Sequence, residues 1–336
     1  MTISSPSLRS VSVAAALAVG AALSPLLTDS LQAQGLTNYN VLTFGGFYQE
    51  NTEVNGTLAV GGNFTMKSAA VGASLTGKAP NGALVVGGTT NIVNGSVYRG
   101  DSYLKTAASG SGYNLQGTTN IGTVPVDFVS EYSRLSSLSA ELAAQAAVNG
   151  IQPVTKNSQL WFHGTQQVNY FTVSASTLAT SWGGYNFYAP EGATIIVNVT
   201  GFGGGNTVFL NTGFNFCTNE AAFLNGTGCP QVNGDNPGGL ASRLLWNFNS
   251  SAETTVAFAG SMRGSVLAPN VNLNATYGSC SGDFVLRSAT SNCEFYMNRY
   301  QGYLPPPVQI PEPSSLALIG VGVAALSWRI VRRRVR

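Results

Sequence analysis

Short apolar runs in the first third of the chain recur between Asn-Gly and Gly-Gly pairs. Residues 54–64 (VNGTLAVGGNF) are echoed by residues 81–92 (NGALVVGGTTNI), with a weaker echo at residues 113–121. Short strands separated by Gly and Asn corners, at intervals in the twenties, are typical of the coils of a parallel β-helix. Glycine pairs suit such corners, because a Cβ there would clash. A β-sandwich of hairpins is the alternative, since Asn-Gly also favours hairpin turns.

One stretch, residues 125–149, has helical periodicity. Its apolar residues recur at helical spacing: Phe128, Tyr132, Leu135, Leu138, Leu142 and Ala146. Pro125 suits a first turn, Asp127 suits the positive end of the helix, and Gly150 follows as a stop signal. We expect one amphipathic helix that docks on a face of the sheet.

Strand patterns dominate the second half of the body. They lie at residues 158–177, 194–210, 244–248, 254–259 and 264–270, around a long polar loop at residues 211–239. The sequence therefore predicts a mainly β fold for residues 34–305. This is an irregular parallel β-helix with one docked amphipathic helix, with the β-sandwich as the alternative.

Both ends of the chain have the pattern of targeting segments. Residues 1–33 predict a secretory signal peptide, with Arg9, an apolar run and a cleavage edge at Ala33. An N-terminal membrane anchor is the alternative. Residues 306–313 form a proline-rich linker, and residues 314–331 predict a short transmembrane segment with Trp328 at its interface. An arginine cluster follows Trp328 and favours a cytoplasmic end, with residues 332–336 as the tail; its members are Arg329, Arg332, Arg333, Arg334 and Arg336.

The charge of the body differs from that of the whole chain. Of the 16 Lys and Arg, Arg9 and the five tail arginines lie in the terminal segments, which leaves ten. Of the 14 Asp and Glu, Asp29 and Glu312 lie there too, which leaves 12 and a body near −2. A near-neutral body without clustered Lys and Arg excludes nucleic acid as a partner. Few charges with many Gly, Asn and Thr suit a secreted β-rich protein.

The four cysteines predict disulfides, because the chain is expected to be exported. The preferred pairing is local, Cys217 with Cys229 and Cys280 with Cys293, each closing a polar loop rich in Gly and Asn. The spacings are long for a metal site, and His163 is the single histidine. We expect no metal and no cofactor.

The C-terminal pattern resembles a known sorting signal. Pro311, Glu312 and Pro313, then a short apolar helix, then an arginine cluster is similar to the PEP-CTERM signal of Gram-negative bacteria that make exopolysaccharide. The resemblance implies recognition of these three residues by exosortase, a membrane transpeptidase-like enzyme, after export through the Sec translocon. A plain C-terminal membrane anchor is the alternative.

The body resembles the choice-of-anchor A domain, a module of bacterial surface proteins. The motifs that carry the resemblance occur in order at residues 54–56, 59–62, 126–128, 245–248, 264–270 and 302–305. It implies a surface adhesin or matrix protein without established catalytic residues. One departure is local: where such domains often have a histidine after a glutamate, this chain has Phe295 after Glu294.

No convincing catalytic constellation accompanies these motifs. The candidate carboxylates are scattered and mostly flanked by turn residues: Asp101, Asp127, Glu191, Asp235, Asp283 and Glu294. A polysaccharide-active enzyme on a β-helix would need two of them together, and a Ser-His-Asp triad would need His163, which the pattern places on a strand. An ice-binding-like adhesin is another alternative, hinted at by Thr89-Thr90 and Thr118-Thr119, but no regular Thr-x-Thr ladder follows.

Several aromatic residues lie in Gly- and Asn-rich sequence and are candidates for a sugar-binding surface: Tyr98, Tyr103, Tyr113, Trp182, Tyr185 and Tyr188. Taken together, the sequence predicts an exported, exosortase-sorted surface or extracellular-matrix protein that is not an enzyme. Its predicted role is structural or adhesive, with exopolysaccharide or a matrix protein as partner.

Overall fold

The computed structural model describes residues 36–202, 207–210, 213–217, 219–226, 229 and 239–306. The N-terminal coils contain thirteen short strands: β1 (Val41–Thr43), β2 (Phe47–Glu50), β3 (Glu53–Val54), β4 (Leu58–Val60), β5 (Phe64–Lys67), β6 (Ala70–Val71), β7 (Ala79–Val86), β8 (Thr90–Val93), β9 (Ser96–Val97), β10 (Gly100–Leu104), β11 (Ser109–Ser111), β12 (Asn114–Leu115) and β13 (Thr119–Ile121). Helix α1 (Phe128–Asn149) follows them.

After α1, the described residues add fourteen strands, two short α-helices and a 3-10 helix (Ala241–Arg243). They are β14 (Val154–Lys156), β15 (Gln159–His163), β16 (Val168–Ser174), α2 (Ala175–Thr180), β17 (Gly184–Tyr188), β18 (Thr194–Thr200), β19 (Thr207–Leu210), β20 (Phe214–Phe216), α3 (Glu220–Asn225), β21 (Leu244–Phe248), β22 (Thr254–Ala259), β23 (Met262–Arg263), β24 (Ser265–Tyr277), β25 (Ser279–Ser281), β26 (Phe284–Ser291) and β27 (Glu294–Tyr296). Neither α2 nor α3 is long enough to show helical periodicity. The predicted polar loop at residues 211–239 contains both β20 and α3.

The strands stack in parallel, which confirms the β-helix and not the sandwich. The first face runs β16-β18-β21-β24-β26-β1-β4-β7-β10-β13. A second face, called the polar face below, runs β19-β22-β24-β26-β2-β5-β8-β11. The third face runs β23-β25-β27-β3-β6-β9-β12, and β20-β17-β15-β14 form a separate sheet. The β14–β15 hairpin is antiparallel, unlike every other pairing recorded between the described strands.

The coils are not stacked in the order of the sequence. The chain begins mid-stack at β1, builds outward to β13, and crosses back along α1 before building again from β14. The last coil, β26 and β27, therefore lies directly beside the first, with Val41 in register with Phe284. We call this junction the seam. Asn40 is fully buried there, and its Nδ2 donates to the carbonyl oxygens of Gly282 (2.8 Å) and Tyr296 (3.2 Å).

The Gly-Gly corners stack directly on one another, as predicted. A Cβ at Gly61 would lie 2.6 Å from the carbonyl oxygen of Phe44, and a Cβ at Gly87 would lie 2.6 Å from that of Gly61. Only glycine allows adjacent coils to approach this closely. The corner pattern in the sequence is therefore a consequence of coil-on-coil contact.

Helix α1 covers the first face, as its apolar stripe predicts. Leu135, Leu142 and Ala146 are buried on it, and Asp127 is the N-cap, accepting hydrogen bonds from the backbone N–H groups of Val129 and Ser130 at 3.1 Å. Pro125 thus precedes the helix instead of lying in its first turn. Ser139 is also buried, and its Oγ donates to Oδ1 of Asn247 at 2.6 Å. The helix is pinned to the sheet by hydrogen bonds as well as by apolar contact.

The two ends of the β-helix are built differently. At one end, which we call the capped end, α2 occupies the place of a polar-face strand, and the antiparallel strand β14 covers β15. At the other, the free end, β11, β12 and β13 are edge strands, and most of their residues are exposed. The chain emerges near the capped end, where the backbone N–H of Tyr303 donates to Oγ1 of Thr194 at 2.8 Å.

Candidate functional site

The polar face is a broad surface on which α1 does not lie. Seven residues stand in register, one per coil: Ala257, Asn274, Thr290, Tyr48, Thr65, Asn91 and Ser109. Ala257 is buried, and the other six are polar. Alternate residues of each strand point outward. Asn274, Thr290, Asn91 and Ser109 are exposed, and Tyr48 and Thr65 are half-buried. Hydroxyl and amide groups therefore form a column along the β-helix axis.

A second column of small polar groups runs beside the first. Thr255, Asn272 and Ser288 are in register, and the Oγ of Ser288 donates to Oδ1 of Asn272 at 2.5 Å. The interior positions of the same strands are filled by buried apolar residues such as Phe64 and Ile92. Since those residues hold the strands from below, the outward groups keep fixed positions.

Tyr48 interrupts the small polar groups at the middle of the face. Its hydroxyl donates to Oε2 of Glu50, and the Nζ of Lys67 lies 5.5 Å from the centre of its ring. An ammonium at this distance is attracted by the ring quadrupole. The face thus combines one aromatic ring, one carboxylate and one ammonium group with rows of hydroxyls and amides.

This arrangement suits an extended ligand better than a small molecule. Adjacent strands repeat at about 4.8 Å, so the six polar positions extend over roughly 24 Å. No enclosing walls are needed for a repetitive polymer or surface, whereas small molecules are usually held in concave pockets. What the face can do is make many weak polar contacts at once.

The candidate carboxylates are held apart by their own partners. Asp101 pairs with Lys78 (3.0 Å), Asp127 caps α1, and Nδ2 of Asn55 donates to Glu294 (3.0 Å). The hydrogen bond from Lys78, with help from the Thr118 backbone, lowers the pKa of Asp101. Glu191 is exposed, and Asp235 lies outside the described residues.

Asp283 is the one fully buried candidate, and it lies at the seam. Its Oδ1 is 2.5 Å from Nε of Arg299, and its Oδ2 accepts from the backbone N–H of Tyr300 at 3.2 Å. Burial raises the pKa of Asp283 to about 6, against the opposing effect of the Arg299 guanidinium. Arg299 also donates to the carbonyl oxygen of Thr37. The pair thus ties the last coil to the start of the first.

His163 lies on strand β15, as predicted. Its Nε2 is 2.8 Å from Oε1 of Glu220, and its ring stacks on that of Phe223 at 5.1 Å between centres. Both partners belong to α3, so His163 contributes to packing at the capped end. Among the residues that the structure describes, no group of His, Cys, Asp and Glu could hold a metal ion.

Both predicted disulfides are confirmed, but one has an unexpected environment. Cys217–Cys229 lies at the capped end beside α3. Cys280–Cys293 does not close a polar loop: both cysteines are fully buried in the core and link the last two coils. The alternation of strand β25 turns Cys280 inward, a signal that the sequence carried only weakly.

The predicted aromatic surface is only partly exposed. Trp182 is 74% exposed and Tyr113 is 37% exposed, whereas Tyr185 is 1% exposed and packs against Trp246. Tyr98, Tyr103 and Tyr188 are half-buried. Of the threonine pairs, Thr90 points into the core, so these pairs form no outward ladder. The exposed rings do not form one platform.

The targeting segments lie outside the described residues. This holds for the cleavage edge at Ala33, for Pro311, Glu312 and Pro313, and for the predicted transmembrane segment with Trp328 and its arginines. Within residues 36–306, no described helix has both the length and the apolar character needed to span a bilayer.

Two family models match the chain. One, described as "Putative Ice-binding-like adhesive domain", covers residues 32–297, and the other, the PEP-CTERM protein-sorting motif, covers residues 309–334. No curated protein and no solved structure matches. The second match includes Pro311, Glu312 and Pro313. The resemblance to the choice-of-anchor A domain stays a prediction.

Proposed function

Because this chain belongs to the ice-binding-like adhesive domain family and carries a PEP-CTERM sorting motif, we propose that it is an exosortase-sorted adhesive protein. It acts at the surface or in the matrix of a Gram-negative cell. Export through the Sec translocon precedes recognition of Pro311, Glu312 and Pro313 by exosortase. The β-helix then acts outside the cell by adhesion and not by catalysis. A choice-of-anchor A affiliation would imply the same role.

The observation that carries the adhesive role is the polar face. Six in-register strands present hydroxyl and amide groups on a rigid surface that α1 leaves uncovered. Each contact with a polymer hydroxyl contributes only about 1 kcal/mol, so binding depends on their number. Exopolysaccharide of the host fits this surface because it repeats and bears many hydroxyls.

The adhesive role is tested by placing bulk on the polar face. Host cells that carry Thr65→Arg with Thr290→Arg should adhere at least about tenfold less to a layer of their own purified exopolysaccharide, since two long cations break the surface. Thr155→Arg with Thr180→Arg adds the same charge at the capped end and should leave adhesion unchanged. Equal adhesion by both variants at equal surface abundance would overturn the polar face as the adhesive surface.

Sorting is tested separately by intact-mass analysis of the protein recovered from the host surface and medium. The expected mass lacks residues 1–33 and the residues beyond Pro313. A variant with alanine at Pro311, Glu312 and Pro313 should keep its tail. Recovery of the wild-type chain with an intact tail would indicate a plain membrane anchor and contradict processing by exosortase.

Ice binding is a second candidate, favoured by the family description and by the regular strand spacing of the polar face. Threonine occupies only two of the seven positions of the main column, and Tyr48 protrudes at its centre. Inhibition of ice recrystallisation by the full chain, lost with Thr65→Arg and Thr290→Arg, would establish this function in place of polymer adhesion.

A further inference from the structure

A second surface lies at the corner between the third face and the first face, close to the free end. Three stacked corners form it: residues 76–78, 99–101 and 116–118. They line an open cleft of about 710 Å³, and binding pockets commonly measure about 300–1,000 Å³. We call it the corner cleft.

The cleft exists because one coil is longer than its neighbours. In-register residues advance from Val41 to Leu58, then to Leu84, then to Ser102. The step from Leu58 to Leu84 is the longest, and the extra residues form an excursion between β6 and β7. Lys78 lies at the end of this excursion, so the insertion builds one wall of the cleft.

Charged and polar side chains converge on the corner cleft. Nζ of Lys78 is 3.0 Å from Oδ2 of Asp101, and the backbone N–H of Thr118 donates to Oδ1 of Asp101 at 3.0 Å. The guanidinium of Arg99 donates to the carbonyl oxygen of Leu75, which holds the head of this exposed side chain at the cleft. Gln116 and Thr118 are exposed on the third corner. Two cations, one carboxylate, an amide and a hydroxyl thus share one concave site.

Charge is unevenly divided along the β-helix, which favours an anionic ligand here. Residues 54–126 contain four cations, Lys67, Lys78, Arg99 and Lys105, against Asp101 as their only acid. The other parts of the body hold six cations and eleven acids. In a protein with only 9% charged residues, this difference gives the free end a positive field.

The same residues argue against a dense polyanion such as nucleic acid. Asp101 lines the same cleft as the cations and would repel closely spaced phosphates, whereas it can accept hydrogen bonds from hydroxyls. A polymer with one carboxylate per sugar and free hydroxyls matches both features. The cations pair with its carboxylates, and Asp101, Gln116 and Thr118 bond its hydroxyls.

We propose that the corner cleft binds a carboxylate-bearing polysaccharide, with Lys78 and Arg99 as its anion-binding residues. This inference rests on the proposed adhesive function and adds a ligand class and a second contact site to it. The cleft lies seven strand spacings, about 34 Å, from β18, whose Thr194 accepts a hydrogen bond from Tyr303. The cleft is therefore far from Tyr303, which is close to the last described residue.

The test uses the full chain purified in neutral detergent, with alginate as the acidic probe and dextran of equal length as the neutral one. We expect saturable binding of alginate and none of dextran. Lys78→Gln with Arg99→Gln should weaken alginate binding at least about tenfold, since two charge-assisted contacts are lost. Lys105→Gln with Lys156→Gln removes the same charge elsewhere and should change it less than about twofold.

An equal loss in both double variants would assign binding to net charge and overturn the cleft. Absence of alginate binding by the wild-type chain would overturn it as well, and so would equal binding of dextran. The polar-face variant Thr65→Arg with Thr290→Arg separates the two proposals. If it abolishes cell adhesion while the cleft variant leaves alginate binding intact, the adhesive function stands and the corner cleft fails. Unchanged thermal midpoints show that each variant is folded.

Discussion

The capped end and the free end of this β-helix differ in both core and boundary. At the capped end, Trp246 lies within 6.4 Å, centre to centre, of five aromatic rings: Phe162, Tyr185, Phe187, Phe214 and Phe248. At the free end, the core is aliphatic, with Leu84, Val86, Ile92 and Leu104 in adjacent coils. The β-helix is therefore closed by large apolar rings at the end where Tyr303 binds, and its other end is polar.

The edges follow the same division. Unpaired strands invite association with other chains, yet β11, β12 and β13 are only two or three residues long and carry Gly, Ser, Asn and Thr. Short polar edges offer few backbone groups and little apolar area to a second chain. The capped end needs more protection, since its large rings would otherwise face water.

The largest effect is expected from breaking the aromatic core of the capped end. Trp246→Ala should lower the free energy of unfolding by about 3 to 5 kcal/mol, because a fully buried ring is lost and a cavity remains. Ile121→Ala at the free end removes a side chain that is 58% exposed and should cost under about 0.5 kcal/mol. Urea unfolding of both variants measures the difference. Similar costs would mean that the two ends are equally packed.

Loss of a disulfide is expected to have the next largest effect, and the two disulfides differ in how accessible they are to a reductant. Each closes a loop of similar length, so loss of either should cost about 3 kcal/mol. Reduction of the native protein should open Cys217–Cys229 first, since Cys229 is half-buried whereas both Cys280 and Cys293 are fully buried. Alkylation followed by mass analysis orders the two events. Simultaneous reduction would show that the last two coils open as readily as the capped end.

The free energy of unfolding should depend on pH through Asp283, which lies at the seam between the two ends. The pKa of Asp283 in the folded state, about 6, lies above its unfolded value near 3.8, so the folded protein binds the proton more tightly. This stabilisation is fully present below about pH 4 and is lost as the pH rises through about 6. We expect a loss of roughly 1 to 3 kcal/mol over that window. Thermal unfolding of Asp283→Asn should lack this slope, and an equal slope in the variant would place its origin elsewhere.

The smallest effect concerns the helix that connects the two ends. Asp127 accepts two backbone hydrogen bonds at the N-terminus of α1, and Asp127→Ala should cost about 1 kcal/mol. Asp127→Asn should recover most of this stability, since its side-chain oxygen can still cap the helix. A loss above about 2 kcal/mol in urea unfolding would indicate that the cap also orders the free end.

Much of this fold can be predicted from local patterns in the sequence. The repeats at residues 54–64 and 81–92 predict the coils because each Gly-Gly corner meets the one in the next coil. The apolar stripe of α1 also predicts which side of the helix is buried, because the helix is long enough to show its periodicity. Local spacing also suffices for both disulfides.

What the sequence did not predict depends on distant contacts. Tyr185 lies in Gly-rich sequence typical of an exposed turn, but the aromatic core of the capped end surrounds it. Lys78 and Arg99 are 21 positions apart and meet only because the coils stack. The order of the coils has no local signal, since it depends on where β26 pairs.

The seam has a consequence for the order in which this protein can form. Strand β1 pairs with β4 on one side, but its other side is completed by β26, more than two hundred residues later. Closing such a distant contact is entropically costly and slow. When the chain is made from its N-terminus, the side of β1 that pairs with β26 therefore stays unpaired until the last coil forms. The sorting motif comes soon after that coil in the sequence. The fold can therefore be completed only when nearly all of the chain before the sorting motif has been made.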